Sequence, residues 1–327
     1  MSRREDAPAT ILDVAAAAGV SRQTVTRAMN DMPGISAQTR QRVLDAARDL
    51  RYRPSRFGRG LVKSDHRMLG LVIDDLTNPY YPELASAVVG NAARHGWNVL
   101  LVDTVHATDT SALLVELRGQ VDAVLGYLSQ VGPDEEQLLD GMPVVEIDPH
   151  VVRAGWASVS LDPAPAAREL AAHLAAAGVR RAVVVDVADR PEPGRRAGML
   201  LSALAEVGVD AGLVQAPLAT AEAGLETVGA VLAAEPTPDA IIAFNDLVAL
   251  GALMACRRAG VDVPGQVRVV GIDGLSAGNW VAPRLTTLAV DMAEVAAQAV
   301  ELALGLVGGD PVEHRTVEHR LVLRESA

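Results

Sequence analysis

Arg22 and Gln23 stand together in the stretch "GVSRQTVTRAMN", Gly19 to Asn30. A guanidinium can bond O6 and N7 of guanine at once, and a carboxamide can do the same to N6 and N7 of adenine. Thr26 and Arg27 lie one helical turn on, within reach of bases or phosphate. A second set of polar side chains sits at the ends of apolar runs. Asp74, Asp75 and Asn78 follow "LGLVI", Tyr127 ends "VDAVLGY", Asp148 ends "PVVEID", Asn245 and Asp246 follow "IIAF", and Asp273 ends "VVGID". Carboxylates and amides converging this way take the paired hydroxyls of a polyhydroxylated or similarly polar small molecule, while an aromatic ring covers its apolar face. For Asp74, Asp75 and Asp246 a role as helix cap or turn former is an equally good reading.

The first set needs a helix to hold it. Thr10 followed by Asp13 resembles a capping box, with Asp in place of Glu, opening "ILDVAAAAG". Ile11, Val14 and Ala15 fall on one face, and Gly19 ends the helix in a tight turn. Ser21 is placed to cap the next helix, whose Val25, Ala28 and Met29 point inward. A third helix, capped by Ser36, runs from about Ala37 to Leu50 with Val43, Ala46, Ala47 and Leu50 inside. Two short helices around a glycine turn with a third as brace form a helix-turn-helix, in which the start of the second helix meets base edges in the major groove.

The second set needs a sheet. "LGLVID", "WNVLLVD", "VDAVLGY", "PVVEID", "RAVVVDVA", "DAIIAF" and "VRVVGID" read as buried parallel strands. Helical stretches such as "YPELASAVVGNAARHG" and "APAARELAAHLAAAG" separate them. Repeated β-α units imply doubly wound sheets with ligands at the carboxyl ends of the strands.

The charge distribution agrees with two different modules. The whole 327-residue chain carries −12, yet residues 1–63 hold 12 Lys and Arg against 6 Asp and Glu, leaving 17 against 35 for the rest. A basic head on an acidic body suits a nucleic-acid-binding module joined to something that should stay off nucleic acid. Half the residues are hydrophobic, which argues against disorder, and no apolar run approaches the ~18 residues of a membrane helix. Glu5, Asp6 and Asp13 interrupt the one stretch that imitates a signal peptide, so a cytoplasmic location is expected. The single cysteine, Cys256, fits that compartment and reads as a small buried residue.

The stretch "TILDVAAAAGVSRQTVTRAMN…ISAQTRQRVLDAARDLRYRPSRFGRGL" resembles the DNA-binding head of the lactose-repressor (LacI/GalR) family. The body resembles that family's effector domain, similar in turn to periplasmic sugar-binding proteins: "NPYYPEL", "RRAGMLLSAL", "FNDLVALGAL" and "VVGIDG…PRLTTL" match its motifs. The resemblance implies an α/β protein, with a small all-α helix-turn-helix head and a two-lobed periplasmic-binding-protein-like body. It extends the DNA-contacting set to Ser21, Arg22, Gln23, Thr24, Thr26, Arg27, Asn30, Arg59 and Leu61. Leu61 matches a leucine that wedges into the minor groove from a hinge helix formed only on DNA, consistent with apolar wedges that kink the duplex. In the cleft the resemblance implies Asn78, Tyr80, Tyr81, Tyr127, Asp148, Arg195, Asn245, Asp273 and Trp280.

The expected division is a head over 1–53, a hinge over 54–65 and a body over 66–327. Its first lobe would comprise 66–158 and 291–318, and its second 159–290 and 319–327. Expected partners are a near-palindromic duplex operator, a small effector (a sugar or sugar derivative) and a second copy of the chain. The implied role is a sequence-specific transcriptional regulator, a repressor, with no cofactor and no metal. A free-standing solute-binding protein is the competing class, which the basic head opposes.

An enzyme reading rests on "GLSAG", Gly274 to Gly278, which satisfies G-x-S-x-G and precedes Asp291 and His314 or His319. Pro283 arrives too soon for the long helix that a nucleophile elbow needs, so this motif is set aside. His314 and His319 are five apart, which puts them on a common face of neither a helix nor a strand. Departures from the family are Gly274 for its second Asp, Val179 for its His in Gly178–Ala182, and a shortened stretch from Asp103 to Val121.

A further departure lies in the hinge, where Gly58-Arg59-Gly60-Leu61 replaces the usual Ala-Arg-x-Leu. Each glycine inside a helix costs about 1 kcal/mol against alanine, hence roughly 4 kcal/mol for the two hinges of a dimer. Gly58→Ala combined with Gly60→Ala should therefore tighten operator binding and blunt its release by ligand, as read by fluorescence anisotropy. Unchanged affinity in the double variant would remove this account of the hinge.

Overall fold

The computed structural model describes residues 10–29, 32–50, 67–128, 130–187, 192–234 and 237–327. The chain divides into two compact units, Met1–His66 and Arg67–Ala327.

In the first unit, α1 (Ile11–Ala18), α2 (Arg22–Met29) and α3 (Ala37–Asp49) enclose Val14, Ala15, Ala18, Val25, Ala28, Val43 and Ala47. The capping box forms: Asp13 N donates to Thr10 Oγ1, and Thr10 N donates to Asp13 Oδ2 at 2.8 Å. Gly19 then takes the left-handed conformation (φ +61°), where a side chain would be strained. Ser21 and Ser36 cap α2 and α3, accepting from Thr24 N at 3.2 Å and Thr39 N at 3.1 Å. Leu50 departs from expectation: it is the C-cap of α3 and 38% exposed, because the helix ends before its side chain is carried back over the core.

The second unit contains two six-stranded sheets. The first is built from β1 (Met68–Ile73), β2 (Asn98–Asp103), β3 (Ala123–Gly126), β4 (Val144–Ile147), β5 (Ala157–Asp162) and β11 (His314–Glu318), in the order β11-β5-β4-β3-β1-β2, all parallel. The second is built from β6 (Arg181–Val187), β7 (Asp210–Ala216), β8 (Ala240–Ala243), β9 (Arg268–Asp273), β10 (Thr286–Ala289) and β12 (Arg320–Val322), in the order β12-β10-β9-β8-β6-β7. Here β12 runs antiparallel to β10, a departure from the all-parallel expectation. The chain enters β12 directly from β11 of the other lobe, without a crossover helix that would reverse its direction.

Helices cover both faces of each sheet. Those of the first lobe are α4 (Tyr80–Arg94), α5 (Thr110–Arg118), α6 (Pro133–Leu138) and α11 (Met292–Gly308). Those of the second are α7 (Ala164–Ala176), α8 (Arg195–Glu206), α9 (Ala221–Ala233) and α10 (Asp246–Ala259), with a 3₁₀ turn at Ser276–Asn279. The short α5 accords with the shortened stretch between Asp103 and Val121. Leu275, fully buried, joins the first lobe's core although it follows β9 of the second.

The chain crosses between lobes after β5, after β10 and between β11 and β12. A first crossing at 158/159 is therefore corrected to follow Asp162, since β5 pairs with β11 from Ser158↔His314 through Asp162↔Glu318. The helix pair α9–α10 approaches unusually closely. A Cβ on Gly251 would lie 2.1 Å from Ala221 O, and one on Gly224 would lie 2.4 Å from Val248 O. Both obstacles are backbone, so neither can yield by a rotamer change. Gly251→Ala should lower stability by about 1–3 kcal/mol, the usual cost of overpacking, as read by chemical denaturation. Wild-type stability in this variant would show that the two helices separate freely.

Candidate functional site

The exposed face of α2 holds the first set of residues. Arg22 and Gln23 are solvent-exposed at its N-terminus, beside the backbone N–H groups that favour anionic partners. Ser21 is committed to its cap, and Thr26 Oγ1 donates to Arg22 O at 3.1 Å, which leaves Arg22 and Gln23 as the longest groups on offer. Thr24 and Arg27 are half-buried. The guanidinium of Arg27 lies against Gly34, where an added Cβ would be 3.0 Å from Nη1. Asn30, Arg59 and Leu61 lie outside the described residues, as do Gly58 and Gly60.

In the body, the strand ends bring most of the second set together. Tyr80, Tyr81 and Tyr127 form a mutual edge-to-face cluster, with ring centroids 5.3, 6.0 and 5.4 Å apart. The hydroxyls of Tyr80 and Tyr127 are hydrogen-bonded, and Tyr81 Oη donates to Asp74 Oδ2 at 2.8 Å. Burial raises all three phenol pKa values, so the rings act as neutral donors and acceptors. Burial also raises the pKa of Asp74, against the hydrogen bond from Tyr81. Asn78 Oδ1 accepts from Tyr80 N at 3.1 Å and so starts α4.

Opposite them stand two arginines from the start of α8. Arg195 Nη2 donates to Asp148 Oδ1 at 2.5 Å, joining the second lobe to the end of β4 in the first. Arg196 Nη1 donates to Asp273 Oδ1 at 3.2 Å and to Phe244 O at 3.4 Å, with its guanidinium 5.4 Å from the Phe244 ring centroid. The family motif that implied Arg195 left Arg196 unmarked. Adjacent helical residues diverge by about 100°, and only the packing shows that both find carboxylates. A second contact between lobes was also missed: Ser276 Oγ donates to Glu83 Oε1 at 2.7 Å, joined by Ser276 N at 3.2 Å. No spacing signal in the sequence links positions 83 and 276.

Two expected residues are placed differently. Asn245 is 2% exposed and caps α10, its Oδ1 accepting from Val248 N at 2.9 Å and its Nδ2 donating to Ala219 O. Trp280 is 80% exposed, lies outside the aromatic cluster and is the C-cap of the 3₁₀ turn. The G-x-S-x-G reading also dissolves. Ser276 serves Glu83, Asp291 caps α11 through Ala293 N and Glu294 N, and His314 meets Ser158. No cluster of potential metal ligands occurs among the described residues.

Behind the cleft lies a second buried carboxylate. Asp246 is fully buried, accepting from Leu275 N at 2.6 Å and Thr287 Oγ1 at 2.7 Å. Gly274, standing where the family has an aspartate, has φ +83°, and a Cβ there would be 2.5 Å from that of Ala289. The neighbouring Asp273 has φ +115°, a conformation costing a non-glycine residue about 1–3 kcal/mol. Burial pushes the Asp273 carboxyl up to about 6 against the pull of Arg196. Burial, with the Asp273 charge second, pushes Asp246 up to about 7.

A chain with a helix-turn-helix head and a two-lobed body whose strand ends converge on a polar, aromatic-walled cleft is a DNA-binding regulator with a small-molecule domain. Residues 10–55 match the bacterial regulatory proteins of the lacI family, and residues 171–327 match the periplasmic binding protein-like domain. The chain is 31% identical to the HTH-type transcriptional regulator DegA of Bacillus subtilis over 300 residues, 88% of each chain. It is 28% identical to the HTH-type transcriptional repressor CytR of Escherichia coli, over 99% of this chain and 98% of that one. Among solved structures, a LacI family transcriptional regulator from Arthrobacter sp. FB24 in complex with lactose is similar at 36% identity and a TM-score of 0.74, covering 79% of this chain and 98% of that one. The protein belongs to the LacI family of bacterial transcriptional regulators.

The raised pKa of Asp246 fixes the sign of a pH effect. The folded chain holds this proton more tightly than the unfolded chain, so the contribution is full below about pH 4 and is lost as pH rises through about 7. Against an Asp246→Asn variant, which lacks the titration, the wild type should lose relative stability between pH 4.5 and 7.5 in urea denaturation. Parallel stability curves for the two proteins would refute the assignment.

Proposed function

We propose that this regulator is a cytoplasmic, homodimeric repressor whose operator binding is controlled by a neutral saccharide held between the lobes. Each head would place α2 in the major groove of one half of a near-palindromic site, with Arg22 and Gln23 at base edges and Arg27 supporting the contact. Asn30, Arg59 and Leu61 would complete the DNA-contacting surface. The observation that carries the ligand class is the pairing of both cleft arginines: Arg195 with Asp148, and Arg196 with Asp273. With its cations already neutralised, the site favours hydroxyls over a phosphate or carboxylate, which would have to break an ion pair to bind. The lactose held by the Arthrobacter relative accords with that choice. Tyr80, Tyr81 and Tyr127 supply an apolar wall with hydroxyl edges, the combination that suits a sugar ring.

The ion pair between Asp148 and Arg195 spans the cleft, so a sugar hydroxyl that engages these groups acts on the angle between lobes. A ligand that favours one lobe angle over the other shifts the population, and DNA must weaken an inducer by the same factor that the inducer weakens DNA.

The test is fluorescence-anisotropy binding of the full chain to duplex DNA from its own promoter, across salt concentrations. Specific binding with a steep negative salt slope is expected, weakened by lactose or another neutral sugar. Arg22→Ala should lose about 1–3 kcal/mol at one base pair of the site and relax specificity there, leaving other positions unaffected. Equal affinity for promoter and unrelated DNA at every salt concentration, with and without sugars, would defeat the repressor reading.

A further inference from the structure

His319 lies at the third crossing between lobes, between β11 and β12. Its backbone N–H donates to Asp162 O at 2.9 Å, so the third crossing is pinned to the end of β5, where the first begins. The side chain is 4% exposed, yet neither Nδ1 nor Nε2 has a hydrogen-bond partner among the described residues. Buried imidazoles are ordinarily partnered, and an orphan costs its desolvation with nothing in return. The charges that bear on it are Arg196 from the second lobe, with Asp148 and Asp162 from the first. None of them serves as its partner. Asp148 accepts from Arg195 and Leu161 N, Asp162 caps the start of α7 through Ala164 N, and Arg196 is held by Asp273 and Phe244.

We propose that His319 is a ligand-contacting residue at the base of the cleft, offering one N–H donor and one lone pair to the hydroxyls of a neutral effector. The inference rests on the saccharide reading above and adds to it the residue that tells hydroxyls from anionic oxygens. Burial, reinforced by Arg196, lowers the imidazole pKa to about 4, so the ring is neutral at physiological pH. A neutral imidazole presents one donor and one acceptor. Hydroxyl groups can satisfy both, because each carries a proton as well as lone pairs. A fully ionised phosphate or carboxylate brings no proton, so the neutral ring can donate to it from one nitrogen only. Sequence reading considered His319 only as a metal ligand or as a triad member and dismissed it in both roles. Its burial beside the cleft became visible only with the crossing strands in place.

The experiment uses the full-length chain and two variants, His319→Leu and His319→Gln, in calorimetric titrations with lactose, cellobiose, ribose and glucose 6-phosphate. Without ligand, the leucine variant should melt at a higher temperature than the wild type, since it removes an unpartnered polar ring. With the sugar that the wild type binds best, the leucine variant should bind roughly tenfold more weakly or worse. Glutamine, which keeps a donor and an acceptor, should recover part of that loss. A leucine variant that binds as tightly as the wild type overturns the proposal, as does tighter binding of glucose 6-phosphate than of any neutral sugar. Lower unliganded melting temperatures for both variants also overturn it, because the ring nitrogens would then be partnered in the resting protein. A wild type that binds none of the sugars defeats the saccharide reading instead. The direction of the leucine variant's melting shift then still decides whether His319 is an unsatisfied group held in the cleft.

Discussion

The ligand domain is organised around carboxylates that must be neutralised where water is scarce. Asp148 and Asp273 end strands of different lobes, and each meets an arginine from the first turn of α8. Moving an ion of this size out of water costs several kcal/mol unless a partner and further hydrogen bonds compensate. Asp148 therefore takes Leu161 N as well as Arg195, while Asp273 draws Arg196 over the Phe244 ring. Removing either arginine would leave a carboxylate stranded, so α8 must begin where it does.

The three crossings between lobes supply the other constraint. β11 completes the first sheet and β12 the second with a single residue, His319, between them. Neither lobe can shift without moving a strand of the other. Leu275 adds an apolar link by entering the first lobe's core from the second, and Ser276 adds a polar one through Glu83. The head has a core and helix caps of its own.

Much of this was legible in the chain. The head showed in Thr10, Asp13, Gly19, Ser21 and Ser36, because capping and turn chemistry is local and residue-specific. Six of the seven apolar strands showed because central parallel strands are buried on both faces and lack polar interruptions, while β2, at a sheet edge, showed by its apolar run alone. The strands that escaped were β5, β7, β10, β11 and β12. Several are short, and β7, β11 and β12 lie at sheet edges, where mixed burial weakens the pattern. Among the candidate site residues, Asp148, Asp273 and Tyr127 were readable as polar groups at strand ends, whereas Tyr80 and Tyr81 were implied only by the family motif they share. Asn245 was readable in the same way, and its Oδ1 also caps α10. Leu50 misled because it follows the last turn of a helix, where side-chain direction depends on how the helix ends.

The sequence by itself determined the two modules, their charge asymmetry and the placement of polar groups at strand ends. These follow from local periodicity, capping chemistry and composition, which act between residues a few positions apart. Only the tertiary structure decided which arginine meets which aspartate, that Ser276 serves Glu83, and that His319 is buried at the third crossing with no partner for its ring among the described residues. Those relations join residues 47, 77, 193 and about 120 or more positions apart. They exist because two sheets share three chain crossings, which bring together side chains that no local pattern connects.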